Sequence, residues 1–96
     1  MRIGYVRNQD VELMENQLNV ILKNGIDKVV LDRTGERLSE LLEKLKPGDV
    51  LNISSLDRFS RDIQKTVKVL EELSNKGVEL YVGGEPFKLS DTLFIK

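Results

Sequence analysis

Val50-Leu51-Asn52-Ile53-Ser54-Ser55-Leu56-Asp57-Arg58-Phe59-Ser60-Arg61 decides how the rest of the chain is read. Its first four residues are a short apolar run with β-branched members, entered through Lys46-Pro47-Gly48-Asp49, and they predict a buried strand. From Arg61 to about Lys76 the apolar positions Ile63, Val67, Leu70 and Leu73 recur at the spacing of one helix face. The loop between strand and helix carries Asp57, Arg58 and Arg61, with Ser60 placed to cap the helix. In open α/β sheets ligands sit beyond the carboxyl ends of the strands, where this loop must emerge. A helix N-terminus favours an anion, and two guanidiniums beside it make a phosphate the natural guest. The same residues also read as an Asp–Arg pair that only ties the loop together, and the sequence leaves both readings open.

Outward from that stretch, strands alternate with helices. Arg2-Ile3-Gly4-Tyr5-Val6 predicts a first strand with Arg7 at its carboxyl end. Asp10 is placed to cap a helix in which Met14, Leu18 and Ile21 repeat, and Asn24-Gly25 stops it. Lys28-Val29-Val30-Leu31 is a second strand, closed by Asp32, Arg33, Thr34 and Gly35. Leu38, Leu41, Leu42 and Leu45 face one side of a short helix running into Pro47-Gly48. Beyond the long helix, Gly77 is a stop, Val78–Val82 a fourth strand, and Gly83-Gly84-Glu85-Pro86 a turn. Pro86 argues against a central strand nearby. The tail through Leu93-Phe94-Ile95 adds a short edge strand or a helix start. This alternation implies right-handed crossovers and a three-layer α/β/α fold, with a mostly parallel sheet of four to five strands.

Ninety-six residues suit one domain with a single core, spanning 1–96 without a linker or an internal repeat. A formal net charge of −1 excludes a broadly basic nucleic-acid coat, so any contact with nucleic acid must come from a local patch. Cysteine and histidine are both absent, which removes disulfides, thiolate chemistry and the commonest general base and metal ligand. No metal site or cofactor is expected. No apolar run approaches a membrane span and no leader precedes the first strand, so a cytoplasmic location follows by default.

The arginines fall unevenly on this reading. Arg7, Arg33, Arg58 and Arg61 lie just past predicted strands, and Arg37 begins the helix after the second strand; only Arg2 is at the opposite edge. Arginine at a helix start opposes the helix dipole, so Arg37 and Arg61 need a compensating anion. Asp32, Asp57, Asp62 and Glu36 could supply it internally. A phosphodiester from outside is the sharper reading, because four segments converge on one edge where a salt bridge needs only two.

Taken together, these motifs resemble the catalytic domain of the serine recombinases, the resolvase and invertase family. The resemblance runs through Gly4-Tyr5-Val6-Arg7, Gln17, Asp32, Arg37 before Leu41-Leu42, Gly48-Asp49-Val50, Leu56-Asp57-Arg58-Phe59-Ser60-Arg61 and Gly77-Val78-Glu79-Leu80. It implies a resolvase-like fold and a role in DNA recombination on mobile elements. In the family a serine hydroxyl attacks a phosphodiester and holds the DNA through a phosphoserine link. The resemblance further implies that Arg7, Arg37, Arg58 and Arg61 gather round the scissile phosphate, with Asp57, Gln17 and Asp32 in the surrounding polar network. Preorganised cations would do the electrostatic work without metal or cofactor.

The departures bear on activity. The family's nucleophile follows the first-strand arginine in an Arg-Val-Ser-Thr run. Here the run is Arg7-Asn8-Gln9-Asp10, the spacing to Gln17 is one residue short, and no serine precedes Ser39. Asn8 and Gln9 offer no nucleophile, and Asp10 would give a labile mixed anhydride. The loop between Asp32 and Arg37 is shortened. The chain stops at Lys96, before the family's long dimer helix and its helix-turn-helix DNA reader.

The expectation is therefore a non-catalytic module that binds DNA phosphates, or a full-length recombinase as partner. A homo-oligomer remains possible without the usual dimer helix. One alternative is an active recombinase or phosphoryl transferase using another hydroxyl, from Ser54, Ser55 or Ser60. The other is a degenerate structural remnant whose arginines pair with Asp32, Asp57 and Asp62.

Overall fold

The computed structural model describes residues 1–23 and 25–87. The Asn24 part of the first helix stop, and the tail through Leu93-Phe94-Ile95, lie outside the described residues. In chain order the elements are β1 (Arg2–Arg7), α1 (Val11–Leu22), β2 (Lys28–Asp32), α2 (Arg37–Lys44) and β3 (Val50–Ile53). A single 3₁₀ turn (Leu56–Arg58), α3 (Ile63–Lys76), β4 (Glu79–Val82) and β5 (Glu85–Phe87) follow. The strands form one sheet in the order β2-β1-β3-β4-β5, the first four parallel and β5 antiparallel to β4. The α/β architecture expected from the alternation is thus present, with five strands.

Period-two alternation divides the core between the faces. Ile3 and Tyr5 of β1, with Leu51 and Ile53 of β3 and Leu80 of β4, pack under Leu38, Leu41 and Leu42 of α2 and Leu70 and Leu73 of α3. Val6 points the other way and meets Met14 and Ile21 of α1. Helices therefore cover both faces, α1 on one and α2 with α3 on the other. That split follows from chain order: the chain moves from β1 outward to β2, then crosses back to β3 and β4. Right-handed crossovers in opposite directions place their helices on opposite faces. The reversal leaves a switch point between β1 and β3, whose outgoing loops part at the carboxyl edge of the sheet.

Three local expectations need correction. Ser60 does not cap α3: the cap is Asp62, whose side chain accepts from the Gln64 N–H, and the helix begins two residues later than Arg61. Ser60 Oγ instead accepts from the Asp62 N–H at 3.0 Å, a turn contact that sets up the cap. Ile63 is not on the buried face; it is 79% exposed, because the first turn of α3 projects past the carboxyl edge. The final turn is shorter than expected. Gly83 and Gly84, with φ of 60° and 88°, form a two-residue hairpin of the kind that needs positive φ at both positions. Glu85 and Pro86 already belong to β5, an edge strand among the described residues, where proline costs no ladder bond that the sheet requires. Asp10, by contrast, caps α1 as its position suggests, accepting from the Glu12 N–H at 2.9 Å.

Candidate anion site

The site is built on the last residue of β1. Arg7 is held at both ends by neutral groups. Its backbone N–H donates to Gln17 Oε1 at 3.1 Å, and Gln17 Nε2 donates back to the Arg7 carbonyl at 3.0 Å. This reciprocal pair replaces a strand neighbour that β1 lacks at that point, and Gln17 is buried to make it. The Arg7 guanidinium spans two loops, with Nη1 donating to the Phe59 carbonyl at 3.1 Å and Nη2 to the Thr34 carbonyl at 3.2 Å. It lies against Gly35 so closely that a Cβ there would stand 2.6 Å from Arg7 Cζ. Gly35 also has φ of +93°, so the turn and the packed guanidinium both call for glycine.

The β3–α3 loop brings the second arginine. Phe59 is buried and stacks on Tyr5, with ring centroids 6.3 Å apart, which pins the loop to the core. With Phe59 inside, Asp57 and Arg58 on one side of it and Ser60 and Arg61 on the other stay at the surface. Arg58 Nη1 donates to the Arg7 carbonyl at 3.0 Å, and its Nη2 pairs with Asp57 Oδ2 at 3.1 Å. The hydroxyl of Ser55 donates to Asp57 Oδ1. That bond, together with the Arg58 guanidinium, holds the Asp57 carboxyl below its ordinary range despite partial burial.

Asp32, at the end of β2, organises the loop that braces Arg7. Its Oδ1 accepts from the N–H groups of Thr34 and Gly35, at 3.2 and 2.8 Å, and its Oδ2 from the Arg37 N–H at 3.0 Å and the Tyr5 hydroxyl at 2.8 Å. α2 has no side-chain cap from Glu36, so this carboxylate does the capping from the neighbouring strand. Burial opposes its ionisation, but the hydrogen bonds from Tyr5, Gly35, Thr34 and Arg37 outweigh burial and lower its pKa. The Tyr5 hydroxyl moves the opposite way, pushed up by burial and by its bond to Asp32.

Arg7, Arg58 and Arg61 line one hollow of about 570 Å³ with Asn8, Gln9, Arg33, Thr34, Asp57 and Ser60. It therefore holds four arginines against one carboxylate. The sequence reading gave Arg33 a place at the same edge but no role in the site. In the fold its Nη2 donates to the Gln9 carbonyl at 3.3 Å, closing the rim. Arg37 is not in this hollow: its side chain lines another one, between α2 and β2. Among the described residues, no carboxylate lies within ion-pair distance of Arg7, Arg33 or Arg61.

The three positions after Arg7 make turn contacts. Asn8 Oδ1 accepts from the Asp10 N–H at 2.9 Å, Gln9 gives its carbonyl to Arg33, and Asp10 caps α1. Of the hydroxyls considered as substitutes, only Ser60 lines the hollow. Among the described residues no three potential ligands of the His, Cys, Asp or Glu type cluster as a metal site would require, and no helix is long and apolar enough to cross a membrane.

Comparison with known proteins agrees with this architecture. Residues 3–93 match the family model described as "Resolvase, N terminal domain". The chain is 30% identical over 91 residues to the transposon Tn552 DNA-invertase BinR of Staphylococcus aureus, covering 84% of this chain and 46% of that protein. It is 31% identical over 87 residues to the serine recombinase gin of Escherichia phage Mu, covering 81% of this chain and 44% of that one. The chain thus spans about half the length of the curated relatives it matches. Solved structures resemble it in fold as well. The C-terminal catalytic domain of ISC1926 TnpA, an IS607-like serine recombinase, has a TM-score of 0.62 at 22% identity, covering 98% of this chain and 75% of that one. The N-terminal catalytic domain of TP901-1 integrase has a TM-score of 0.61 at 14% identity, covering 95% and 78%. With the motifs, the sheet order and the family match in agreement, this chain belongs to the resolvase N-terminal domain family of serine recombinases.

Proposed function

We propose that this domain is a non-catalytic member of its family that binds DNA through backbone phosphates at the carboxyl edge of its sheet. The observation that carries the reading is the hollow in which Arg7, Arg33, Arg58 and Arg61 meet one carboxylate. Two of the carboxylates that could have neutralised these arginines are engaged elsewhere. Asp32 holds Tyr5 and three backbone N–H groups, and Asp62 caps α3. Among the described residues, Asp57 alone forms an ion pair with one of these arginines, Arg58. Residual positive charge in a concave site on a chain of net charge −1 favours a phosphate over a structural role.

Two or three phosphate contacts give affinity that falls with salt at a slope of about −0.9 per phosphate. Between 50 and 200 mM salt, binding to a short DNA duplex is then expected to drop roughly ten- to fortyfold. Arg61→Ala and Arg33→Ala, both at exposed positions, each reduce the magnitude of that slope by about one and weaken binding without regard to sequence. Slopes and affinities unchanged in both variants, with the fold intact by circular dichroism, would sink the proposal.

Absence of catalysis has its own test. Asn8, Gln9 and Asp10 place no hydroxyl beside Arg7, so incubation with nicked suicide DNA substrates is expected to leave no covalent adduct. Because Ser60 lines the arginine hollow, a second reading makes it a substitute nucleophile. An adduct formed by the natural chain and lost in Ser60→Ala would establish that reading and end the first.

A further inference from the structure

The side chain of Arg37 leads to a different part of the molecule. Among the described residues β2 has a strand neighbour on one side only, β1, so half of its backbone N–H and C=O groups face outward. Against α2, reaching from β2 to the start of β1 and the entry to β3, lies a hollow of about 640 Å³. Its floor is apolar, with Val30 and Leu41, and its rim carries Lys28, Arg37 and Lys46. The two carboxylates of the hollow are already engaged. Glu40 pairs with Lys44 at 2.9 Å; Asp49 accepts from the N-terminal amine at 3.2 Å and from the Lys46 N–H at 2.9 Å. Among the described residues no carboxylate is within ion-pair distance of Lys28, Arg37 or Lys46.

We infer that this groove takes an extended acidic segment of a partner protein, added to β2 as a further strand. An open strand edge asks for a guest with both N–H and C=O groups at strand spacing, which a peptide has and a nucleic acid lacks. The period of two lets alternate side chains of such a guest rest on Val30 and Leu41. Its carboxylates then reach the rim cations, where Lys28, Arg37, Lys44 and Lys46 outnumber Glu40 and Asp49. Proteins commonly guard an edge strand with a lysine or a proline. β2 has Lys28 and no proline, so the guard here repels basic segments and admits acidic ones. The inference is independent of the DNA reading, since the arginine hollow shares no residue with this one.

The test uses the full chain and a fluorescein-labelled octapeptide of alternating Glu and Val, followed by fluorescence anisotropy and by amide hydrogen exchange. Saturable binding is expected, with slower exchange of the amides of β2. Lys28→Glu combined with Arg37→Glu, both exposed positions, is expected to weaken binding at least tenfold while circular dichroism stays unchanged. The same peptide N-methylated at alternate residues, made in both registers, tests strand addition without altering the protein, and one of the two is expected to lose binding. Equal binding of both methylated peptides would reduce the effect to charge alone and overturn the inference. Equal binding of a Lys/Val peptide would do the same. So would a twelve-nucleotide oligothymidylate that protects the amides of β2 better than the acidic peptide, which would assign the groove to nucleic acid.

Discussion

Replacing Asp32 by asparagine keeps the shape of the side chain and removes one acceptor, and its cost can be worked from the contacts. The carboxylate has four donors around it, two on each oxygen: Thr34 and Gly35 N–H on Oδ1, Tyr5 O–H and Arg37 N–H on Oδ2. An amide can face only one pair with its oxygen. The better arrangement turns the NH₂ toward Tyr5, because a phenol can rotate to accept, whereas no backbone N–H can. The Arg37 N–H is then left without an acceptor at the first turn of α2, which costs about 1–3 kcal/mol. The bonds from Thr34 and Gly35 survive but now meet a neutral oxygen, a further loss of about 1 kcal/mol. A total near 3 kcal/mol would lower the melting temperature of a domain this size by roughly 10–25 °C.

Urea denaturation followed by circular dichroism measures this directly, and pH supplies an internal control. Because the folded-state pKa of Asp32 is depressed, its ionic contribution is complete above the ordinary carboxylate range and disappears as pH falls through the folded value. The gap between natural chain and Asp32→Asn should therefore be widest near neutral pH and narrow in acid. Tyr5→Phe should cost about 1–3 kcal/mol alone, and less than that in the Asp32→Asn background, since the two groups share one bond. A gap below about 0.5 kcal/mol at neutral pH, where a surface substitution would sit, would refute the assignment of Asp32 as the brace of this loop. So would a gap that does not change with pH.

Gly35→Ala should destabilise by about 1 kcal/mol or more through its positive φ, and should weaken phosphate binding further by displacing Arg7, as paired melts and phosphate titrations would record. Phe59→Ala should cost about 3–5 kcal/mol in chemical denaturation, because it empties a buried ring site against Tyr5. Asp62→Ala should cost about 1 kcal/mol as the true cap of α3, and Ser60→Ala less; thermal melts returning the reverse order would restore Ser60 to the cap.

Much of the fold was legible because its signals are local. The short apolar runs of β1 and β3, the leucines of α2, and Asp10 ahead of Val11 each depend on a few neighbouring residues. The misreadings arose where tertiary placement overrides a local signal. Ile63 keeps helical spacing with Val67 and Leu70, yet α3 begins beyond the sheet, so the pattern runs on past the surface available to cover it. Ser60 and Asp62 are both good caps by type; in the fold Asp62 takes the cap and Ser60 accepts from its N–H. In the site, the sequence placed Arg7, Arg58 and Arg61 at one edge from strand ends alone. Strand ends put Arg33 at that edge too, but the resemblance chose Arg37 for the phosphate, and the fold has Arg33 in the hollow instead. Those two stand four residues apart, but the loop closed by Asp32 turns one into the arginine hollow and the other toward the edge of β2.

What holds the arginines matters as much as where they are. A guanidinium fixed by a carboxylate is ordered but largely neutralised, whereas one fixed by a carbonyl is ordered and keeps its charge. Arg7 is fixed by the carbonyls of Thr34 and Phe59, and Arg33 by that of Gln9. Arg58 combines the two, with the Arg7 carbonyl on one nitrogen and Asp57 on another. The hollow thus has cations already oriented, which would lower the ordering cost of the phosphate binding proposed above. It also explains why the loops at 34–35 and at 59 matter to a charge that neither carries: their backbone oxygens aim Arg7, and Asp32 and Phe59 aim those oxygens. Loss of either anchor should therefore reduce anion affinity even though every positive charge remains in the chain.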